Sequence, residues 1–197
     1  MTHAESIVGA VAAPKPLAIK IAAAVAGAFA VALAAQVSIP VPGTPVPMTL
    51  QPLAVLVVGG LLGPRFGALS MVFYLGMGAA GLPVFTPFGA PGVARLFGPT
   101  GGFLLSYPFA AAVVGQAARS KTLSRKGVPY TLASCILAAF AGLVVIFAGG
   151  IAQLTILAGP RAALALGALP FLAKDLANLV VAGLLIRRFG PSTRALH

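Results

Sequence analysis

The sequence predicts an all-α polytopic integral membrane protein, a bundle of six transmembrane helices with both termini cytoplasmic. Three observations predict it. First, 59% of the 197 residues are apolar and 8% are charged, with a mean hydropathy of +1.05, whereas soluble domains run near about 25% charged. Second, ionisable side chains leave uninterrupted stretches of 44 residues (21–64), 29 (66–94), 23 (96–118) and 34 (127–160), and a helix crosses a bilayer with about 20. Third, the cations are distributed asymmetrically along the predicted topology.

The elements follow from where Pro and Gly interrupt the apolar runs. Helix one covers 17–37 and ends at a segment, 39–47, with four prolines at 40, 42, 45 and 47. Proline removes amide donors and favours extended backbone, so this is a loop. Helix two covers 50–62. Gly63-Pro64-Arg65-Phe66-Gly67 is a tight turn, helix three covers 68–82, and a Gly/Pro loop fills 83–98. Helix four spans 99–118, a basic connector 119–129, and helix five 130–150. Residues 151–169 are apolar but broken by Gly159-Pro160-Arg161, which reads as a partly helical, interfacial segment. Helix six is 170–189, near 30 Å at about 1.5 Å per residue. The organisation is therefore a tail of residues 1–16, a transmembrane domain of 17–190 and a tail of 191–197.

With both termini inside, Lys15, Lys20, Arg65, Arg119, Lys121, Arg125, Lys126, Arg187, Arg188 and Arg194 face the cytoplasm, 10 of the 13 cations. Arg95 and Arg161 lie outside, and Lys174 within helix six. This is the positive-inside signature. The net charge of +11 is thus mainly topological, with anionic lipid headgroups as secondary partners. It is too sparse for a nucleic-acid surface. Ala32-Leu33-Ala34 after an apolar run imitates a signal-peptide cleavage site. A retained helix one is the expectation, because its removal would take one helix of six. The single cysteine, Cys135, leaves neither a disulfide nor a cysteine metal site.

Charged groups at membrane depth cost about 2.5–3.5 kcal/mol each on insertion scales and mark functional sites by default. Lys174 and Asp175 are the candidates. Around a helix, Lys174, Asn178 and Asp175 fall at about 0°, 40° and 100°, one polar arc near the outer end. Its donors and acceptors suit a small ligand with urea-like and carboxylate groups. Arg95, in an outer loop, can pair a carboxylate. The following Gly98-Pro99-Thr100-Gly101-Gly102 turn can present amides near Thr100. No glycine-rich stretch has a P-loop ending, and both histidines lie at the termini, so no enzyme is expected, and no cofactor or metal. On helix one, Ala22, Ala26, Ala30 and Ala34 form a small-residue ladder that permits close helix approach, either to another part of the chain or to a partner.

Four blocks occur in order: Val46-Pro47-Met48-Thr49-Leu50-Gln51-Pro52-Leu53; Tyr74-Leu75-Gly76 with Gly81-Leu82-Pro83-Val84-Phe85; Leu96-Phe97-Gly98-Pro99-Thr100-Gly101-Gly102-Phe103-Leu104-Leu105; and Pro170-Phe171-Leu172-Ala173-Lys174-Asp175. Together they resemble the biotin-specific S-component (BioY) of energy-coupling factor (ECF) transporters over about residues 17–190. The resemblance implies a six-helix protein of the cytoplasmic (inner) membrane that binds biotin with high affinity from outside. It implies docking on a transmembrane coupling protein carrying an ATPase pair, with self-association if the chain works alone. It adds Gln51 and Tyr74 to the substrate-binding candidates, makes the 39–47 loop a lid, and favours a partner-docking role for the alanine ladder. The family pattern in the last helix is Asp followed three residues later by Lys. Here Asp175 matches the first position and Asn178 stands at the second, so Lys174 or Asn178 must serve instead. On this reading the ureido N–H groups donate to Asp175, the valerate meets Arg95 or the amides near Thr100, and the ring packs near Phe85 and Phe103. The alternatives are an S-component for another vitamin and a non-transporting membrane scaffold. A channel is disfavoured because no polar stripe recurs across helices.

Overall fold

A computed structural model of the chain describes residues 16–120 and 130–196. Glu5, Lys15, the rest of the 1–15 tail, Lys121, Arg125, Lys126 and His197 lie outside the described residues, as does the side chain of Arg194. The elements are α1 (Leu17–Gln36), β1 (Ser38–Ile39), β2 (Met48–Thr49), α2 (Gln51–Ala79), α3 (Ala94–Phe97), α4 (Gly101–Ala117), α5 (Leu132–Ala158), α6 (Pro160–Gly167) and α7 (Leu172–Phe189). Short 3-10 turns cover Leu169–Phe171 and Gly190–Leu196. Four helical stretches are long and apolar enough to cross a membrane: Leu17–Gln36, Gln51–Ala79, Leu132–Ala158 and Pro160–Thr193. The apolar helix Gly101–Ala117 is shorter. The protein is a multi-pass membrane protein.

The long α2 is not one rod. At Gly63 the backbone takes φ 80°, ψ −179°, a region open essentially to glycine alone, and Pro64 follows without an amide donor. Beyond this point the chain turns back on itself. A Cβ added at Gly67 would sit 2.9 Å from the Cα of Gly59, and Gln51 bonds to Tyr74. Those two residues would be about 35 Å apart on a straight helix. The two halves therefore run antiparallel as a helical hairpin.

Small residues set the packing. Gly59 lies against Ala111 of α4, where a Cβ would fall 2.7 Å from the Ala111 Cα, and Gly149 of α5 lies against the Gly102 carbonyl. α1 turns Ala24, Gly27, Ala28, Val31, Ala32 and Ala35 inward onto α2, and Ser70 Oγ donates to the Ala24 carbonyl at 2.5 Å. Close backbone approach of this kind is how helices associate where lipid removes the hydrophobic drive between them. α4 packs between α2 and α5, and α7 closes the bundle against α5 and α2.

Several elements differ in detail from those expected. α5 continues through Gly149 and Gly150 to Ala158. Glycines in a lipid-embedded helix keep their ladder hydrogen bonds when a neighbouring helix packs on them, and the break falls instead at Gly159 (φ 84°) before Pro160. The 151–169 region, expected to be partly helical, is helix on both sides of a sharp turn at Gly159. The proline-rich 39–47 loop is held at its base by a two-residue antiparallel ribbon, Ser38 opposite Thr49 and Ile39 opposite Met48. The C-terminal residues fold back on the α2 turn, where Thr193 Oγ1 donates to the Leu61 carbonyl at 2.7 Å.

Candidate functional site

At the end of the bundle remote from Gly63, the ribbon, the start of α2, the 83–98 loop and the starts of α4 and α7 converge on a pocket. Its empty space, counted together with the open solvent at its mouth, is about 600 Å³. Thr49, Gln51, Thr86, Arg95, Lys174 and Asp175 supply polar groups to its wall, and Phe85, Phe103, Phe147 and Phe171 supply apolar ones.

The start of α7 positions the charges. Asp175 falls in its first turn, where the helix dipole favours a carboxylate, and is 3% exposed. Its Oδ1 lies 2.6 Å from Lys174 Nζ and accepts from Asn178 Nδ2 at 3.1 Å. Among the described residues Oδ2 has no hydrogen-bond partner. Lys174 Nζ also donates to the Thr49 carbonyl at 2.9 Å, leaving one of three ammonium protons uncommitted. The expected arc is present, and its members differ in position. Lys174 and Asp175 line the pocket, whereas Asn178 is buried behind Asp175 and is not part of the wall.

Gln51 and Tyr74 form a second polar pair. Thr49 Oγ1 accepts from the Gln51 amide at 3.2 Å and turns the chain into α2. The Gln51 side chain donates to the Tyr74 hydroxyl. Tyr74 is fully buried, edge-on to Phe85 at 5.5 Å and stacked at 6.4 Å on Tyr107. Gln51 reaches the pocket wall and Tyr74 stands behind it.

Arg95, expected in a loop, lies in the short helix α3 and is 6% exposed. Its guanidinium donates to the Phe88 carbonyl and, at 2.6 Å, to the Thr86 carbonyl, while Nε is buried without a hydrogen-bond partner. Gly89, with φ +101°, passes so close that a Cβ would meet Arg95 Nη1 at 2.6 Å. The arginine therefore folds the 83–98 loop around itself and presents a charged edge to the pocket. Burial lowers its guanidinium from the ordinary value, and Tyr74 acts in the opposite sense. Thr100 is half-buried at the pocket rim beside the N-terminus of α4.

Thr49, Thr86, Tyr107, Phe147 and Phe171 also line the pocket, beyond the residues expected there. Thr49 and Phe171 sit inside the 46–53 and 170–175 blocks. Tyr107 had a signal as one of three tyrosines in the chain. The alanine ladder lies elsewhere: Ala22, Ala26 and Ala30 are exposed on the outer face of α1 and Ala34 is half-buried. With Arg95, Lys174 and Asp175, the pocket carries a formal charge of +1, suited to a ligand with one carboxylate. Among the described residues no cluster of His, Cys, Asp or Glu could hold a metal ion.

Comparison with known proteins agrees in both sequence and shape. The solved S-component for biotin from an ECF-type ABC transporter superposes with a TM-score of 0.75 over 87% of this chain and 90% of that one, at 23% identity, which is a likeness of fold. A protein of Pyrococcus horikoshii named probable biotin transporter BioY is 36% identical over 149 residues, 76% of this chain and 83% of that protein. The biotin transporter BioY of Thermotoga maritima is 38% identical over 149 residues, 75% of this chain and 83% of that protein. The model of the BioY family matches residues 6–195, and with these identities the chain belongs to the BioY family.

Proposed function

We propose that this chain is the biotin-binding S-component of an ECF-type transporter and mediates biotin uptake across the cytoplasmic membrane. The observation that carries the site assignment is Asp175: one carboxylate oxygen is bonded twice by its own helix and the other is left to accept within the pocket. A cyclic urea offers two N–H donors and one carbonyl. One ureido N–H group of biotin donates to Asp175 Oδ2, and the ureido oxygen accepts the uncommitted proton of Lys174. Phe85 and Phe103 pack on the apolar ring, and the valerate carboxylate lies against Arg95 or the amides near Thr100. Asn178 and Tyr74 hold Asp175 and Gln51 in place.

The six crossings are helices 17–36, 51–62, 64–79, 101–117, 132–158 and 172–189, with both termini inside. The α2 hairpin supports two short crossings in place of one long one. On the same reading Ala22, Ala26, Ala30 and Ala34 meet the transmembrane coupling protein that carries the ATPase pair: three of the four are exposed on α1 while its other face is already used inside the bundle. Thermal unfolding of the purified protein with and without biotin tests the core of this reading. Stabilisation by biotin that is absent with thiamine or riboflavin supports it. No shift with biotin, or an equal one with another vitamin, overturns it.

A further inference from the structure

α5 carries one carboxamide, Gln153, in a largely apolar run. Its Nε2 donates to the Gly98 carbonyl at 2.7 Å and to the Leu96 carbonyl at 3.0 Å. A primary amide has two N–H donors, so both go to one short stretch of backbone. That stretch is the exit of α3, where carbonyls lack partners within their own helix. Beside lipid, such carbonyls need a partner from elsewhere in the protein. The two glycines that follow lie against the same side chain. A Cβ added at Gly101 would sit 2.7 Å from Gln153 Nε2, and one at Gly102 would sit 2.7 Å from Gln153 Cβ. Gly101 and Gly102 therefore let the turn approach α5 closely enough for Gln153 to hold it.

The held carbonyls fall between two residues of the pocket wall. Arg95 precedes them and Thr100 follows; both line the pocket, whereas Gln153 does not. Gln153 lines a separate apolar groove with Leu96, Phe97 and Gly102. We propose, resting on the biotin-binding reading above, that Gln153 is a positioning residue for the carboxylate end of the ligand. It fixes the 96–98 backbone without touching the ligand, and that backbone sets where Arg95 and the amides near Thr100 stand. Arg95 is one residue from the first held carbonyl and Thr100 two from the second, so both candidate carboxylate partners depend on one clamp. The ureido end has a different support. Lys174 and Asp175 stand on α7, and their bonds run to Thr49 and Asn178 and not to this turn. Loss of Gln153 therefore acts on one end of the ligand.

The test compares biotin with biotinol, in which CH2OH replaces the carboxylate, by isothermal titration of the full chain in neutral detergent. Wild type should bind biotin about tenfold or more tighter than biotinol. Gln153→Met, similar in shape and without donors, should weaken biotin by about tenfold to a hundredfold, the range for a hydrogen bond to a charged group, and shift biotinol by less than about threefold. A side chain that only stabilised the bundle would change both ligands alike. If Gln153→Met does not elute as a folded species, Gln153→Asn, whose amide falls one methylene short of the two carbonyls, gives the same comparison. Equal losses for the two ligands, or no loss in the variant, overturn the positioning role while the biotin reading stands. Wild type that binds the two ligands equally does the same. Wild type that binds neither overturns both.

Discussion

Lys174 donates to the Thr49 main-chain carbonyl at 2.9 Å while its ammonium lies 2.6 Å from Asp175 Oδ1. One side chain thus ties α7, which carries the site's carboxylate, to the ribbon at the base of the 39–47 loop. Thr44 Oγ1 anchors the same loop by donating to the Leu166 carbonyl at 2.6 Å. The loop is fastened at its tip by α6 and at its base by a residue of the pocket wall, so a ligand that engages Lys174 would couple binding to loop position.

Lys174→Ala should therefore weaken biotin binding by about tenfold to a hundredfold, the range for losing a hydrogen bond to a charged donor. Isothermal titration on the purified variant measures it. Unchanged affinity in a folded variant removes Lys174 from the site and leaves the cation role vacant.

Asp175 and Asn178 should rank on either side of Lys174. Asp175→Ala removes the acceptor of a ureido N–H group and leaves the Lys174 charge without its partner, so binding should fall below detection. Asn178 acts only by orienting Asp175 Oδ1, and Asn178→Ala should cost about threefold to tenfold, as for a neutral bond whose loss leaves the main acceptor in place. An Asn178→Ala variant as weak as Asp175→Ala would show direct contact between the amide and the ligand.

Gly63 is the hinge on which the α2 hairpin depends. A side chain there meets both a φ of +80° and the Arg119 guanidinium, so relaxing one conflict does not relieve the other. Gly63→Ala should lower the thermal midpoint in detergent by about 5 °C or more, from a backbone cost of about 1–3 kcal/mol with the displacement of Arg119 added. A midpoint equal to wild type would mean that the turn does not need this conformation.

Charge and apolar run length carried most of the fold, because they report directly on solvent: a bilayer excludes charge, and the chain shows where charge stops. Asp175 was legible for the same reason, being the one acid beyond the first few residues. The pairing of Gln51 with Tyr74 was not legible from local pattern. It depends on the angle and closeness of a hairpin set by Gly63, Gly59 and Gly67, and small residues record that two backbones touch without recording which two. Helical angles placed Asn178 and Lys174 on one arc, but a 40° difference decides which of them faces the pocket and which lies behind the carboxylate. Only the neighbours packed against α7 determine that.

The outer face of α1 offers a separation of binding from transport. Ala26 and Ala30 are exposed, one turn apart, on the side of the helix away from the inward set Ala24, Ala28 and Ala35. A large side chain at either position alters no contact within the bundle, and it would hold a partner helix several ångströms away. Ala26→Leu and Ala30→Leu should keep wild-type biotin affinity in detergent, yet lower biotin uptake by about tenfold or more in cells supplying the coupling protein and ATPases. That range is the loss expected when a close small-residue helix contact worth about 1–2 kcal/mol is forced open. Uptake at the wild-type rate in both variants would place the docking face elsewhere. A parallel loss of affinity would instead mean that α1 supports the pocket itself, through the bond that Gln36 at its C-terminal end donates to the Phe85 carbonyl.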